Sequence, residues 1–173
     1  MNRPKVIQEV FDIIRFISFC LLPVTTIKAE FWRHTGYRLN LKKPITYNEK
    51  LQWLKLYWRD PNAIICADKY EVREYLEKKG LKHLLNELYF VFEDVNDINF
   101  QELPEKFILK TTHGCGQNII CRDKRELNWE KERKKLRKWL KRNQFFYSYE
   151  WMYKEIRPRI ILERLIETSD GKA

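Results

Sequence analysis

The chain has 173 residues, of which 44% are hydrophobic, and its 34 Lys and Arg against 24 Asp and Glu give a formal charge of +10. This length predicts about one domain, and the composition, with only five Gly and six Pro, excludes an intrinsically disordered chain. The positive charge favours an anionic partner: a nucleotide, a nucleic acid or an acidic membrane face.

The N-terminal segment from Val6 to Leu22 is strongly apolar, but Asp12 and Arg15 interrupt it. The uninterrupted apolar stretch is therefore shorter than the roughly 20 residues of a bilayer-spanning helix. We predict a helix that packs on the core or on a partner. The alternative is a cytoplasmic protein whose residues 6–22 make a peripheral contact with the inner face of the membrane.

Two capping patterns predict helices in the first half of the chain. Thr46 and Glu49 stand at the spacing of a capping box, in which each side chain bonds the other residue's backbone N–H. Pro61 suits a helix start because its missing N–H is not needed there. Asp68 to Glu71 forms a second box-like start, and Gly80 predicts the end of that helix.

The second half contains short apolar runs that predict strands. These runs are Leu88–Phe92, Phe107–Thr111, Ile119–Arg122 and Arg159–Leu165. A tight glycine loop, residues 113–118, separates the second run from the third and predicts a hairpin. The expected fold class is α+β, with an antiparallel sheet packed on helices.

The positive charge is concentrated between Arg122 and Arg142, where eleven basic residues stand against four acidic ones. Asn128 predicts the cap of a helix from Trp129 to about Asn143. Its basic face with two tryptophans could bind nucleic acid. However, Trp129 and Trp139 share the apolar stripe of Leu136 and Leu140, so we predict core tryptophans, a solvated basic face and no nucleic acid.

The glycine loop is the most informative feature for chemistry. Gly114 and Gly116 lack side chains, so backbone N–H groups there can approach a phosphate, and Lys110 places a positive charge beside them. The pattern GxxxxGK[ST] of a P-loop is absent. The other reading of two glycines in a hairpin is an ordinary turn. The four cysteines form no CxxC pair, so they predict free thiols in a reducing compartment and no metal site near His113.

Several strings in the same order strengthen the nucleotide interpretation. They are NEKLQWLKLY, ADKYEVREYL, LPEKFILKTTHGCGQNII and RPRIILERLIE. Together they resemble the TupA-like ATP-grasp family of bacterial surface-polymer synthesis, over about residues 40 to 167. The resemblance implies a partial ATP-grasp fold in which the glycine hairpin covers the phosphates of ATP.

The resemblance also implies roles for individual residues. Lys110 would reach the α- and β-phosphates from a strand end, and the loop from His113 to Asn118, including Gly114, Cys115 and Gly116, would be the phosphate lid. Lys69 would be an earlier phosphate-facing lysine; its alternative is a solvated lysine at a helix start.

The expected adenine contacts lie further along the chain. Glu163 would stand beside the adenine amino group, and the backbones of Arg164 and Ile166 would pair with the base edge. Glu167 or Asp170 would take the ribose hydroxyls.

One departure from the family pattern concerns the metal. ATP-grasp enzymes hold Mg²⁺ with acidic and amide side chains of a later segment, and this chain stops at Ala173. We therefore expect either a truncated gene or a second polypeptide that completes the fold, no catalytic residue in this chain, and no activity of the chain alone. The expected segments are a helical segment 1–40, a subdomain 41–104 and an ATP-binding subdomain 105–173.

The function implied is the ATP-binding part of a carboxylate–amine ligase-like protein in capsule or teichuronic-type polysaccharide synthesis. Its acceptor would be a polysaccharide or an amino acid. The alternative from the same context is a glycosyltransferase-associated protein.

Overall fold

A computed structural model describes residues 5–167, with side chains from Ile13 onward. Its contacts divide the chain into two units. The first unit contains the residues up to Asp60 and Gln144–Lys154, and the second contains Pro61–Asn143 and the residues from Glu155. The predicted segments 1–40, 41–104 and 105–173 stay a prediction.

The first unit is helical. Its helices are α1 (Lys5–Leu21), α2 (Pro23–Thr35), α3 (Tyr47–Tyr57) and α7 (Phe145–Ser148). Phe19 of α1 packs with Ile27 and Phe31 of α2 and with Leu39 in a small core, and Arg15 forms an ion pair with Glu30 at 2.7 Å. Among residues 5–167, no helix combines the length and the hydrophobicity that a bilayer span requires.

The capping box at α3 is confirmed. The Thr46 hydroxyl accepts a bond from the Glu49 N–H, and the Glu49 carboxylate accepts one from the Thr46 N–H at 2.9 Å. Glu49 is buried and also accepts bonds from the N–H groups of Ile45 and Asn40. These bonds stabilise the carboxylate form and lower the pKa of Glu49.

The second unit contains the helices α4 (Asn62–Ala67), α5 (Glu71–Lys78) and α6 (Trp129–Leu140) and the four strands. The strands are β1 (Leu88–Phe92), β2 (Phe107–Thr111), β3 (Asn118–Cys121) and β4 (Ile160–Glu163). They form one antiparallel sheet in the order β1-β4-β2-β3. The α+β fold class and the predicted glycine hairpin are therefore confirmed.

One face of the sheet is the core of this unit. Phe107 and Leu109 of β2, Ile119 of β3 and Leu162 of β4 pack there with Leu136 of α6. Trp129, Trp139 and Leu140 of α6 pack against the same cluster, so the apolar stripe of this helix is confirmed. The helix ends at Leu140, earlier than predicted.

The second predicted capping box is only half formed. Asp68 accepts bonds from the N–H groups of Tyr70 and Glu71, at 2.8 and 3.3 Å, as a capping side chain does. Glu71 does not reach back to Asp68; its carboxylate instead accepts a bond from Arg159 at 2.7 Å. A charged partner thus replaces the expected backbone donor, and α5 begins at Glu71.

Candidate functional site

The register of the central strands places Lys110 and Glu163 on the same face of the sheet. Lys110 of β2 pairs with Ile161 of β4, and Ile108 pairs with Glu163. Opposed residues of an antiparallel pair project to one side, and alternate residues of a strand share a face. Because Phe107 and Leu109 of β2 project into the core, Ile108, Lys110, Ile161 and Glu163 form the opposite side, which we call the Lys110 face.

An ion-pair network is centred on Glu163. Its carboxylate accepts bonds from Lys110 Nζ at 2.8 Å and from Arg73 Nη1 at 3.0 Å, and Arg73 also donates to the carbonyl of Asn86 at 2.6 Å. The side chain of Glu163 is 6% exposed, that of Arg73 16% and that of Lys110 27%. Lys110 is therefore the member of the network that a ligand from solvent reaches most easily.

Lys69 precedes α5 and holds the glycine loop. Its ammonium donates to the carbonyls of Thr111, at 2.9 Å, and Gly114, and its backbone N–H points at the carbonyl of Thr112 at 3.4 Å. Within the described residues no carboxylate forms an ion pair with it. Burial lowers the pKa of Lys69, because an ammonium with little water around it loses solvation energy.

A second buried charge cluster lies on the same elements. Arg159, just before β4, donates to Asp68 at 2.9 Å and to Glu71 at 2.7 Å, and its guanidinium lies 4.5 Å from the centre of the Tyr70 ring. Asp68 and Arg159 are both buried. Arg159 thereby holds the residues on both sides of Lys69, Asp68 and Glu71, beside the start of β4.

The two glycines of the glycine loop are required for different physical reasons. Gly116 has φ +68, in the left-handed region that favours glycine. A side chain at Gly114 would overlap the amide of Gln117, which accepts a bond from the Thr111 hydroxyl. Gly114 is therefore required for close packing inside the loop, while the space beside Gly116 is open.

His113 was predicted as part of the phosphate lid, and its side chain is turned inward. It is 1% exposed and its Nε2 lies 3.1 Å from the carbonyl of Trp139, which fixes Nε2–H as the donor. Burial lowers the pKa of His113. The imidazole anchors the loop to α6 and does not reach the loop surface, where Cys115 is exposed.

The segment after β4 already has backbone partners. The N–H of Arg164 donates to the carbonyl of Glu87 at 3.0 Å, and the carbonyl of Arg164 accepts a bond from Asn86 at 2.8 Å. Ile166 is exposed, and Glu167 pairs with Lys106 at 2.8 Å. Asp170 lies outside the described residues.

Four residues of the site were not predicted as site residues: Asp68, Glu71, Arg73 and Arg159. All four stand inside the strings that carry the family resemblance, ADKYEVREYL and RPRIILERLIE. The strings contain these residues, but no local pattern specifies which distant residue is the buried ion-pair partner of each.

The arrangement suits an anionic ligand and not a bare metal ion. The site contains four cations (Lys69, Arg73, Lys110 and Arg159) and three carboxylates (Asp68, Glu71 and Glu163), which leaves a positive balance. Within residues 5–167, no group of three or more His, Cys, Asp or Glu is placed to hold a metal ion. The described residues therefore do not fit Mg²⁺.

Comparison with known proteins assigns the chain to a family. A search of curated proteins and a search of solved structures found no significant match. The family model described as TupA-like ATPgrasp matches residues 49–172, a range that contains Lys69, the Lys110 face and the glycine loop. The chain belongs to the TupA-like ATP-grasp family.

Proposed function

We propose that this protein binds ATP at the Lys110 face, beside the glycine loop, as the nucleotide-holding part of a carboxylate–amine ligase-like protein. The observation that carries the proposal is the 2.8 Å pair between Lys110 and Glu163. It brings the residue expected at the phosphates next to the residue expected at the adenine, although 53 positions separate them in the chain.

Lys110 is the proposed phosphate contact. Its ammonium is the most accessible charge of the network, and a charge-assisted bond to a phosphate oxygen would replace its bond to Glu163. Arg73 would hold the Glu163 carboxylate in place during this exchange. Glu163 would then be free to accept a bond from the adenine amino group.

The glycine loop would cover the phosphates from the other side. A carbon added at Gly116 would have no atom within 4 Å, so a phosphate has room on that side of the loop, and Lys69 fixes the base of the loop through two carbonyls. In this arrangement Lys69 contributes chiefly by positioning the loop. Ile166 would offer its backbone to the base edge, and Glu167 or Asp170 the ribose contacts.

The reaction proposed is the one that the ATP-grasp family implies. The γ-phosphoryl group passes to a carboxylate oxygen to give an acyl phosphate and ADP, and an amine then displaces phosphate to form an amide. Lys110 and the loop N–H groups would stabilise the transferring negative charge. A polysaccharide or an amino acid of cell-surface polymer synthesis would be the acceptor.

Titration with a fluorescent ATP analogue tests the proposal. Lys110→Ala should weaken binding by about one to two powers of ten, because one charge-assisted phosphate contact is lost. Lys78→Ala is the matched control, since Lys78 is an exposed lysine in the same unit, and it should bind like the wild type.

A denaturation curve for each variant shows whether it is folded. Equal affinities of folded Lys110→Ala and wild type would remove Lys110 from the site and contradict the proposal.

A further inference from the structure

Five lysines of the α6 segment lie on one side of the helix. They are Lys131, Lys134, Lys135, Lys138 and Lys141, and all are exposed. At about 100° per residue they fall within an arc of about 120° and extend about 15 Å along the axis. We call them the α6 lysine stripe.

The stripe is not neutralised by the protein. Only Lys135 forms an ion pair, with Glu132 at 2.8 Å; in the described part of the chain the other four lysines have no carboxylate partner. Like charges three and four residues apart destabilise a helix. The stripe therefore weakens α6 in isolation, which favours an external anion as its partner.

The opposite side of the helix fixes the direction of the stripe. Leu136 is fully buried, and Trp129, stacked on Phe100 with ring centres 4.9 Å apart, packs with Trp139 against the same core. The helix cannot rotate about its axis without exposing these side chains. The lysines therefore face outward from the second unit.

The chemistry of the stripe favours a broad anionic surface over a nucleic acid. Lysine ammonium groups are hydrated point charges, whereas recognition of individual phosphates commonly uses the planar fork of arginine. The two tryptophans that could stack on bases are packed into the core. A row of five lysines with no stacking aromatic residue is typical of attraction to anionic lipid headgroups.

An exposed apolar side of α1, in the first unit, independently favours contact with a membrane. The exposed side of α1 bears large apolar residues: Ile13, Ile14, Phe16, Ile17 and Leu21. An apolar helix face of this kind is a typical interfacial membrane contact, and its binding strengthens with the apolar area buried and with attraction to anionic lipid.

We propose that the α6 lysine stripe is an electrostatic docking surface for a membrane that contains anionic phospholipid. This proposal does not depend on nucleotide binding. It predicts association that requires anionic lipid and weakens as salt screens the charges.

The test uses the full chain and two kinds of vesicle, one of phosphatidylcholine with phosphatidylglycerol and one of phosphatidylcholine alone. The wild type should sediment with the first kind far more than with the second. The triple variant Lys131→Gln, Lys134→Gln, Lys138→Gln should lose at least about tenfold in affinity for the anionic vesicles.

A matched control keeps the same change of net charge. Lys78→Gln, Lys79→Gln, Lys82→Gln removes three exposed lysines from the same unit and should stay within about twofold of the wild type. Equal losses in the two triple variants would overturn the proposal, because net charge alone would then explain binding. So would tighter binding to a duplex oligonucleotide that the stripe variant abolishes. Circular dichroism verifies that both variants keep their helices.

Discussion

Lys69 and Lys110, which the sequence predicts as phosphate contacts, have different surroundings in the fold. Lys110 faces the Glu163 carboxylate at 2.8 Å, whereas Lys69 donates to the carbonyls of Thr111 and Gly114. A carboxylate can be exchanged for a phosphate at little change in charge, but the carbonyls at the end of β2 and in the loop cannot be released without altering the base of the loop. We therefore infer that Lys110 contacts the ligand and that Lys69 maintains the shape of the site.

His113 provides a prediction on pH. Burial lowers its pKa below the ordinary value of 6.5, so below that pH the unfolded chain binds more protons than the folded one. The contribution of neutral, buried His113 to the free energy of unfolding should be fully present above about pH 6.5. It should be lost as the pH falls from there towards the lowered pKa of His113 in the folded protein. Chemical denaturation at about pH 7.5 and about pH 5.5 measures the difference.

His113→Gln should reduce that difference, since glutamine does not titrate. Exposed His83 supplies the control: His83→Gln should keep the pH dependence of the wild type. The carboxylates with a lowered pKa, such as Glu49, remain ionised in this interval and do not interfere. If His113→Gln and wild type lose stability equally, burial of His113 is not the cause.

The parts of the fold that depend on local signals were predictable. The capping box at Thr46, the cap at Asn128 and the glycine hairpin all rest on residues within a few positions of each other. The sheet order was not predictable, because β4 enters between β1 and β2 and no local pattern specifies a neighbour so far away. The partners of the site, such as Arg73 for Glu163, were missed for the same reason.

The glycine loop gives a prediction by double mutation. Gly114→Ala should lower the free energy of unfolding by about 1–3 kcal/mol, because the new methyl group overlaps the amide of Gln117. In a Gln117→Ala background that obstacle is gone, so the same substitution should change stability by less than about 0.5 kcal/mol. Denaturation of the wild type, both single variants and the double variant measures the coupling.

Gly116→Ala is the control for this cycle. Its effect arises from the left-handed backbone at φ +68, with no atom within 4 Å of the added carbon, and should be about 1 kcal/mol in either background. Additive effects at Gly114 and Gln117 would show that the two side-chain positions do not compete for space.

Attachment of the protein to a membrane should be peripheral. Arg15 lies within α1 and forms an ion pair with Glu30, and a charge pair at that position is unfavourable in hydrocarbon. The side chain of Asp12, the other charge that interrupts the apolar segment, lies outside the part of the chain whose side chains are described. Washing membranes with alkaline carbonate should therefore release the protein, while an integral membrane protein in the same sample stays in the pellet. Retention in the pellet would contradict a peripheral attachment.

The pair between Lys110 and Glu163 has a further consequence, for the rate of ligand capture. A tethered carboxylate 2.8 Å away acts as a competitor at high local concentration, so the ammonium is free in only a fraction of molecules at any moment. The observed capture rate is reduced by that fraction. In the proposed ATP site, an isolated phosphate ion would make one contact and lose the competition, whereas a ligand that also engages the loop and the segment after β4 would displace the carboxylate. The pair would thus select large polyphosphates over small anions.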